Sequence, residues 1–358
     1  MKYKIRTMIF AMAMVACAAC EPEEGHQPGR QTGDIAPEAG VPHLMVLNEG
    51  TWGGNNASLT WLDVAKGELV EGWFAARNGR GLGDVAQDLV VYGSKAYLTV
   101  WGSNSLEVID TASGISRRVD LGNRGPRHIA ADGGKLYITC YKPHSVIRID
   151  TASLAVEATC TLGGFNPEGI AVLGDKLLVA SSNISDEQGN YSYDNHVYVI
   201  GTASFTLIDS VEVGCNPQKI LAIDEHTAVV NYWGNYASRP AGAALIDDAL
   251  TVTPLQQELT NMTVAGGSVY GYYTQWAADY SSKTTAFVKI APTGTVTPIL
   301  GGVQLNAYSI GVHPVSGNIY IADDGDYTAN GDLYSYTPDG TLRWRREVGM
   351  LPSKIVFY

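Results

Sequence analysis

The chain has 358 residues, 24 of them basic against 36 acidic, for a net charge of −12. So acidic a chain argues against the phosphate backbone of nucleic acid as a partner, and against electrostatic adhesion to anionic lipid. Hydrophobic residues make up 45% of the chain, enough for a sizeable core, and 20 Tyr stand against 6 Phe, so most phenyl rings carry a hydroxyl.

The first residues read as an address rather than as fold. Lys2, Lys4 and Arg6 precede an apolar run, 8–16, that is too short to span a bilayer. Ala16-Cys17 and Ala19-Cys20 follow, and the pattern resembles a bacterial lipoprotein signal, in which a cysteine becomes the lipidated first residue. The run Glu21-Pro22-Glu23-Glu24 favours Cys20 over Cys17 and resembles the surface-export signal of Bacteroidetes lipoproteins. The resemblance implies a lipid-anchored protein exposed on the outer membrane; a plain cleaved signal with a linker is the alternative. The expected division is a signal peptide over 1–19, a flexible acidic tether over 20–42 and one folded body over 43–358.

That body is built on a repeat. From Gly133 four short β-branched runs follow one another, LYITCY, SVIRID, EATCTL and PEGIAVL, each bounded by turn residues such as Lys142-Pro143-His144 and Thr151-Ala152-Ser153. Comparable units start at Leu44, Gly93, Gly174, Asp224, Gly267 and Val315. In the first unit ELVEGWF is read as the third strand. Seven units of roughly forty residues predict an all-β, seven-bladed β-propeller with four antiparallel strands per blade. The innermost strand of a blade carries the P-x-x-I phrase. The first unit begins without one and the chain ends on PSKIVFY, so the C-terminal strand is predicted to join the N-terminal blade and close the ring without free edges.

Because strand direction alternates, the connections fall on two faces. On one face they are short: 111–114, 132–134, 174–175 and 338–340. On the other they are long: 50–58, 101–105, 181–195, 231–242, 274–284 and 323–331, joined by the blade crossings 78–83 and 123–127. Insertions cost little anywhere on a surface, so their clustering on one face is a functional signal. The candidate ligand-binding residues are Trp52, Trp101, Tyr141, Tyr193, Tyr232, Trp233, Tyr236, Trp276, Tyr280 and Tyr327, with Arg80, Arg127 and His144 as polar partners. Rings with few rotors and a polar tip suit a platform for a bulky, partly apolar, polar-rimmed molecule. About half of the rings are expected to pack between blades instead.

Catalytic signals are sparse. His128 and Glu168 are placed near the channel mouth, where such a pair can exchange protons. No serine or cysteine nucleophile motif accompanies them, and no enzyme is expected. Cys140, Cys160 and Cys215 lack metal-ligand spacing and read as small buried residues, with Cys140 and Cys160 on non-adjacent strands. Asp323-Asp324-Gly325-Asp326 with Asn330 and Asp332 has a calcium-loop flavour without the closing glutamate, and reads as a solvated acidic turn. No metal and no prosthetic group is expected.

The phrase VIRIDTASLAVEATCTLGGFNPEGIAV resembles the YVTN-type, or YncE-like, propellers, and the likeness covers nearly the whole folded body. The segments LNEGTWGGNNASLTWLD and NGRGLGDVAQDLVVYGSKAYLTVWGSNSLEVID are similar to the Bacteroidetes surface lipoproteins that include the BtuG cobalamin-binding proteins. This second resemblance implies capture of cobalamin (vitamin B12) or another corrinoid, delivery to a TonB-dependent BtuB-like transporter, and membrane attachment by the lipid anchor only. Two alternatives stay open: a surface glycan binder, since aromatic platforms also stack on sugars, and a propeller lyase using His128 and Glu168.

Overall fold

The computed structural model describes residues 31–277 and 283–358. Seven four-stranded antiparallel sheets form the seven blades of a propeller. The first blade pairs His43–Asn48, Ser58–Asp63 and Glu68–Val70 with Pro352–Phe357, the last strand of the chain, which lies innermost. The expected closure is therefore present. Each later blade starts with its own inner strand: Ala86–Tyr92, Pro126–Asp132, Pro167–Leu173, Pro217–Ala222, Asn261–Ala265 and Ala307–Val312.

Along the middle strands apolar residues run almost unbroken, because both faces of each sheet meet a neighbouring blade. Ile138 and Ile147 of the third blade pack with Leu106 and Val108 of the second, and the pattern repeats round the ring. Cys140, Cys160 and Cys215 are buried and free within it. The outer strands are more exposed, as in Ser116–Asp120 and Leu207–Glu212, although Trp344 of the seventh blade's outer strand is buried.

Polar contacts tie the inner strands into a circle. Lys354 of the first blade pairs with Asp88 of the second, and Asp88 accepts the Ile129 amide of the third at 2.9 Å. Arg127 of the third reaches Glu168 of the fourth at 3.0 Å. Lys219 of the fifth donates to Asn261 of the sixth at 2.9 Å, Asn261 to the Tyr308 carbonyl of the seventh at 2.9 Å, and Ser309 to the Pro352 carbonyl of the first at 2.7 Å. Between the fourth and fifth blades the link is close approach instead. A Cβ on Gly169 would lie 2.6 Å from the Gln218 carbonyl oxygen and 2.7 Å from the Ile220 nitrogen. Gly169→Ala should therefore spread this seam and lower stability by about 1–3 kcal/mol, read as a drop in Tm.

Two expectations need correction. ELVEGWF is not one strand: only Glu68–Val70 pairs, and a short helix, Trp73–Asn78, follows. Gly72 turns the chain at φ +58°, and Trp73 and Phe74 then bury in the core beside Leu59 and Leu82. The core takes these two rings inward, which a continuing outer strand could not do. The flexible tether does not extend to residue 42 either. Thr32 bridges Arg345, and Glu38 is buried where it accepts from Arg343, the Tyr320 hydroxyl and Ser316. Once a carboxylate is buried with three donors, the chain around it is fixed. The expected signal peptide and the cysteines Cys17 and Cys20 lie outside the described residues.

Candidate functional site

The inner strands share a local irregularity that builds the site. Six of them, all but Asn261–Ala265, break register at the same level, just after the leading residue. In the third, fourth and fifth blades two residues there oppose one on the next strand, a β-bulge, which re-aims side chains. The bulged pairs Arg127-His128, Glu168-Gly169 and Gln218-Lys219 line a cavity of about 390 Å³ at the long-loop end of the central channel, together with Gln87-Asp88 and Ser353-Lys354.

The cavity wall is charged and mostly matched. Arg127 donates Nε and Nη2 to Glu168 Oε2 at 3.1 and 3.0 Å, and its Nη1 donates to Gln87. The Tyr141 hydroxyl donates to the other Glu168 oxygen. His128 stands between two carboxylates, Nδ1 3.5 Å from Asp88 and Nε2 3.5 Å from Glu168. Burial would raise the Glu168 pKa, but Arg127, His128 and Tyr141 outweigh it and hold it down to about 2. Burial would lower the His128 pKa, yet Asp88 and Glu168 raise it. The imidazolium is thus favoured, which suits a structural cation better than a general base. Glu49 differs: burial pushes its pKa up against the Tyr308 hydroxyl, which donates to it at 2.9 Å.

An aromatic ladder climbs from this network to the surface. The Arg127 guanidinium lies 4.7 Å from the Tyr141 ring centroid and 5.3 Å from that of Trp101. Trp101 and Trp52 meet in a tilted pair, 4.7 Å between centroids and 42° between planes. Trp52 is 69% exposed, yet its loop is pinned. Asp84 accepts the Gly53 and Asn55 amides at 3.1 and 3.3 Å, and Asn56 accepts the Thr51 amide at 2.9 Å. Gly50 holds φ +74°, where a Cβ would strike the Asn56 side chain at 2.6 Å.

The other sequence candidates fall into distinct places. Trp233 and Tyr327 line the cavity. Half-buried Tyr193 joins exposed Tyr191 and Tyr236 in a second cluster, with centroids 6.2 and 6.4 Å apart along the chain of rings. Tyr232 packs inward: a Cβ on Gly214 would overlap its ring at 2.1 Å, so that glycine is needed for the ring to lie flat. His144 pairs with Tyr141 across a hairpin and is outside the cavity lining. Trp276 ends the strand Ser268–Trp276, its side chain outside what is described, and Tyr280 lies outside the described residues.

Arg80 is structural. It donates to Glu107 at 2.8 and 2.9 Å, beside Arg118 at 2.5 Å, and stacks on Phe74 at 5.0 Å. Arg80→Ala is expected to cost about 1–3 kcal/mol in a thermal melt, because Glu107 is fully buried, and to leave ligand affinity unchanged in a parallel titration.

Lys219, Asp88, Lys354, Glu49, Asn261 and Tyr308 were not among the sequence candidates. Their signal was available in part: in P-x-x-I the two middle positions are where the repeats diverge into charged residues. The acidic turn at 323–326 is solvated only at Asp326. Asp323 and Asp324 are buried, and burial pushes Asp324 up to about 6. Among the described residues no group of three His, Cys, Asp or Glu side chains is placed to hold a metal ion, and no helix is long and apolar enough to cross a membrane. A larger groove, about 690 Å³, lies between acidic turns on the short-loop face. It is open, and its ion pairs Lys176–Asp175 and His226–Asp248 stand at the surface, whereas the channel mouth is enclosed by buried charged groups.

Comparison with known proteins supports the architecture. A family described as a domain of unknown function, DUF5074, matches residues 43–330. No curated protein matches the sequence. Among solved structures, a quinoprotein alcohol dehydrogenase-like protein of Bacteroides thetaiotaomicron superposes with a TM-score of 0.63 at 16% identity, covering 88% of this chain and 78% of that one. Hydrazine synthase of Kuenenia stuttgartiensis gives 0.58 at 17% identity, over 71% of this chain and 77% of that one. A catalytically inactive virginiamycin B lyase of Staphylococcus aureus, with quinupristin, gives 0.54 at 13%, over 74% and 84%. At such identities the likeness speaks for fold alone.

Proposed function

The chain belongs to the DUF5074 family, and we propose that this member is a lipid-anchored surface protein that binds cobalamin or a related corrinoid without turnover and passes it to a TonB-dependent transporter. The observation that carries the binding part is Trp52. A large indole, mostly in water, is held by a pinned loop, set in a tilted pair with Trp101 and backed by Tyr141 and Arg127. Apolar surface kept rigid and exposed is surface prepared for a partner, and a preorganised ring loses little entropy on binding. The second cluster at Tyr191, Tyr193 and Tyr236, and the rings Trp233 and Tyr327 at the mouth, spread such contacts over the same face. A corrin macrocycle, flat, partly apolar and rimmed by amides, suits that spread; it is too wide for the cavity and would lie across its mouth. The lipid anchor and the transporter rest on the sequence resemblance. Tethering beside a transporter would raise the local ligand concentration and ease transfer.

The test is titration calorimetry with cyanocobalamin. One-to-one binding at nanomolar strength or tighter is the expected result. Absence of both heat and co-elution would reject the corrinoid and turn attention to glycans, for which weak, sugar-competed binding is the mark.

A further inference from the structure

Every carboxylate in the cavity wall has a hydrogen-bonding partner, but Lys219 has no carboxylate paired with it. Lys354 is matched by Asp88 and Arg127 by Glu168. Glu49 is held by Tyr308. Lys219 donates to the neutral amide oxygen of Asn261 at 2.9 Å, and among the described residues no carboxylate forms an ion pair with it. It lies on a bulged inner strand, opposite Asn231, whose side chain accepts the Lys219 amide at 2.8 Å, so its backbone is fixed. Its ammonium shares the cavity with Lys354, and the two repel; burial and that repulsion outweigh the attraction of Asp88, which is itself paired with Lys354, and bring its pKa down to about 7.

A deep ammonium without a carboxylate paired to it is costly, and a chain with twelve more acidic than basic residues has ample carboxylates to supply one. The position is instead left open toward a cavity with room for a small polar group. We infer that Lys219, with Lys354 behind it, forms an oxyanion site in the channel that takes the phosphate ester or carboxylate of the ligand seated on the aromatic face. An oxyanion supplies the missing charge and accepts hydrogen bonds from the ammonium. It also explains why the unmatched cation sits below the platform rather than on the rim: an anionic arm would reach down while the apolar body rests above. In corrinoids the phosphate of the nucleotide loop is such an arm, and this last identification rests on the binding reading above.

The experiment has two arms. In the first, protein labelled with ¹³C at the lysine ε-carbons is titrated with inorganic phosphate and with methyl phosphate, and the Lys219 signal is identified by its loss in Lys219→Met. A saturable shift of that signal is expected with both anions. A Lys219 signal unmoved by either would overturn the site whatever the true ligand is. In the second arm, cobalamin and cobinamide, which has the corrin ring without the phosphate-bearing loop, are titrated into the wild type and Lys219→Met. The variant is expected to lose about tenfold in cobalamin affinity and none in cobinamide affinity, with a single cooperative melt as the folding control. Equal loss for both would refute the placement of the phosphate at Lys219. Binding of neither corrinoid, with the phosphate shift intact, would refute the corrinoid reading and keep the oxyanion site.

Discussion

Glu168→Gln should lower the stability of the ring by about 3 kcal/mol, the largest single loss expected in this protein. The carboxylate is buried and receives Arg127 through two nitrogens, the Tyr141 hydroxyl and the imidazole of His128. The amide keeps the shape but removes the charge, so a buried guanidinium loses its counter-ion and the His128 imidazolium one of its two. The pH dependence identifies the cause. The folded-state pKa of Glu168 is depressed to about 2, against roughly 4.3 in an unfolded chain. Its stabilisation is therefore complete above about pH 4.5 and is lost as pH falls toward 2. The gap between wild type and variant, measured by urea unfolding, should be full at neutral pH and shrink through that window. A gap that stayed constant down to pH 2 would mean that shape, not charge, holds the seam. Affinity for the ligand should fall too, because Arg127 and Tyr141 support Trp101 from below.

The fold was legible because repetition multiplies a weak signal. One P-x-x-I phrase says little, but Pro126, Pro167, Pro217 and Pro352 open inner strands at matching positions, and the missing inner strand of the first unit pointed directly to Pro352–Phe357. Where the repeat breaks, the reading failed. Nothing periodic marks Trp73–Asn78 as a helix, and its two buried rings look the same as those of a strand. Composition also misplaced the start of the ordered chain, since Glu38 is polar in sequence and buried in fact.

Loop length pointed to rings such as Trp52 and Tyr236, which stand exposed; of the charged channel the sequence indicated Arg127, His128 and Glu168 but not Asp88, Lys219 and Lys354. Loop insertions and rings are local features that can be counted along the chain. Lys219 becomes unusual only when the ring brings Asp88, Glu168 and Lys354 round to the same axis and they turn out to be engaged elsewhere. Likewise Arg80 and Arg127 look equivalent in sequence, each in a Gly- and Arg-rich crossing. The fold sends Arg80 to the buried Glu107 under the helix and Arg127 to the channel mouth.

Trp52→Ala is expected to cost about 2 kcal/mol of binding, near thirtyfold in affinity, while changing folding stability by less than about 0.5 kcal/mol. The separation follows from its surroundings. Its side chain touches Trp101 and otherwise faces solvent, whereas the loop's own hydrogen bonds run through Asp84, Asn56 and backbone amides that the substitution leaves in place. A residue with little part in folding, yet held at one orientation by Gly50 and Asp84, has its energetic consequence in the complex. Calorimetry and a melt on the same sample check both halves, with Tyr236→Ala as comparison from the second cluster, 71% exposed and equally dispensable to the fold. If Tyr236→Ala removes binding and Trp52→Ala does not, the ligand sits over the 181–195 and 231–242 loops. The ladder from Trp52 to Arg127 would then be a brace for the channel rather than a contact surface. If both lower affinity, and their effects add, the ligand spans the mouth between them, directly above Lys219.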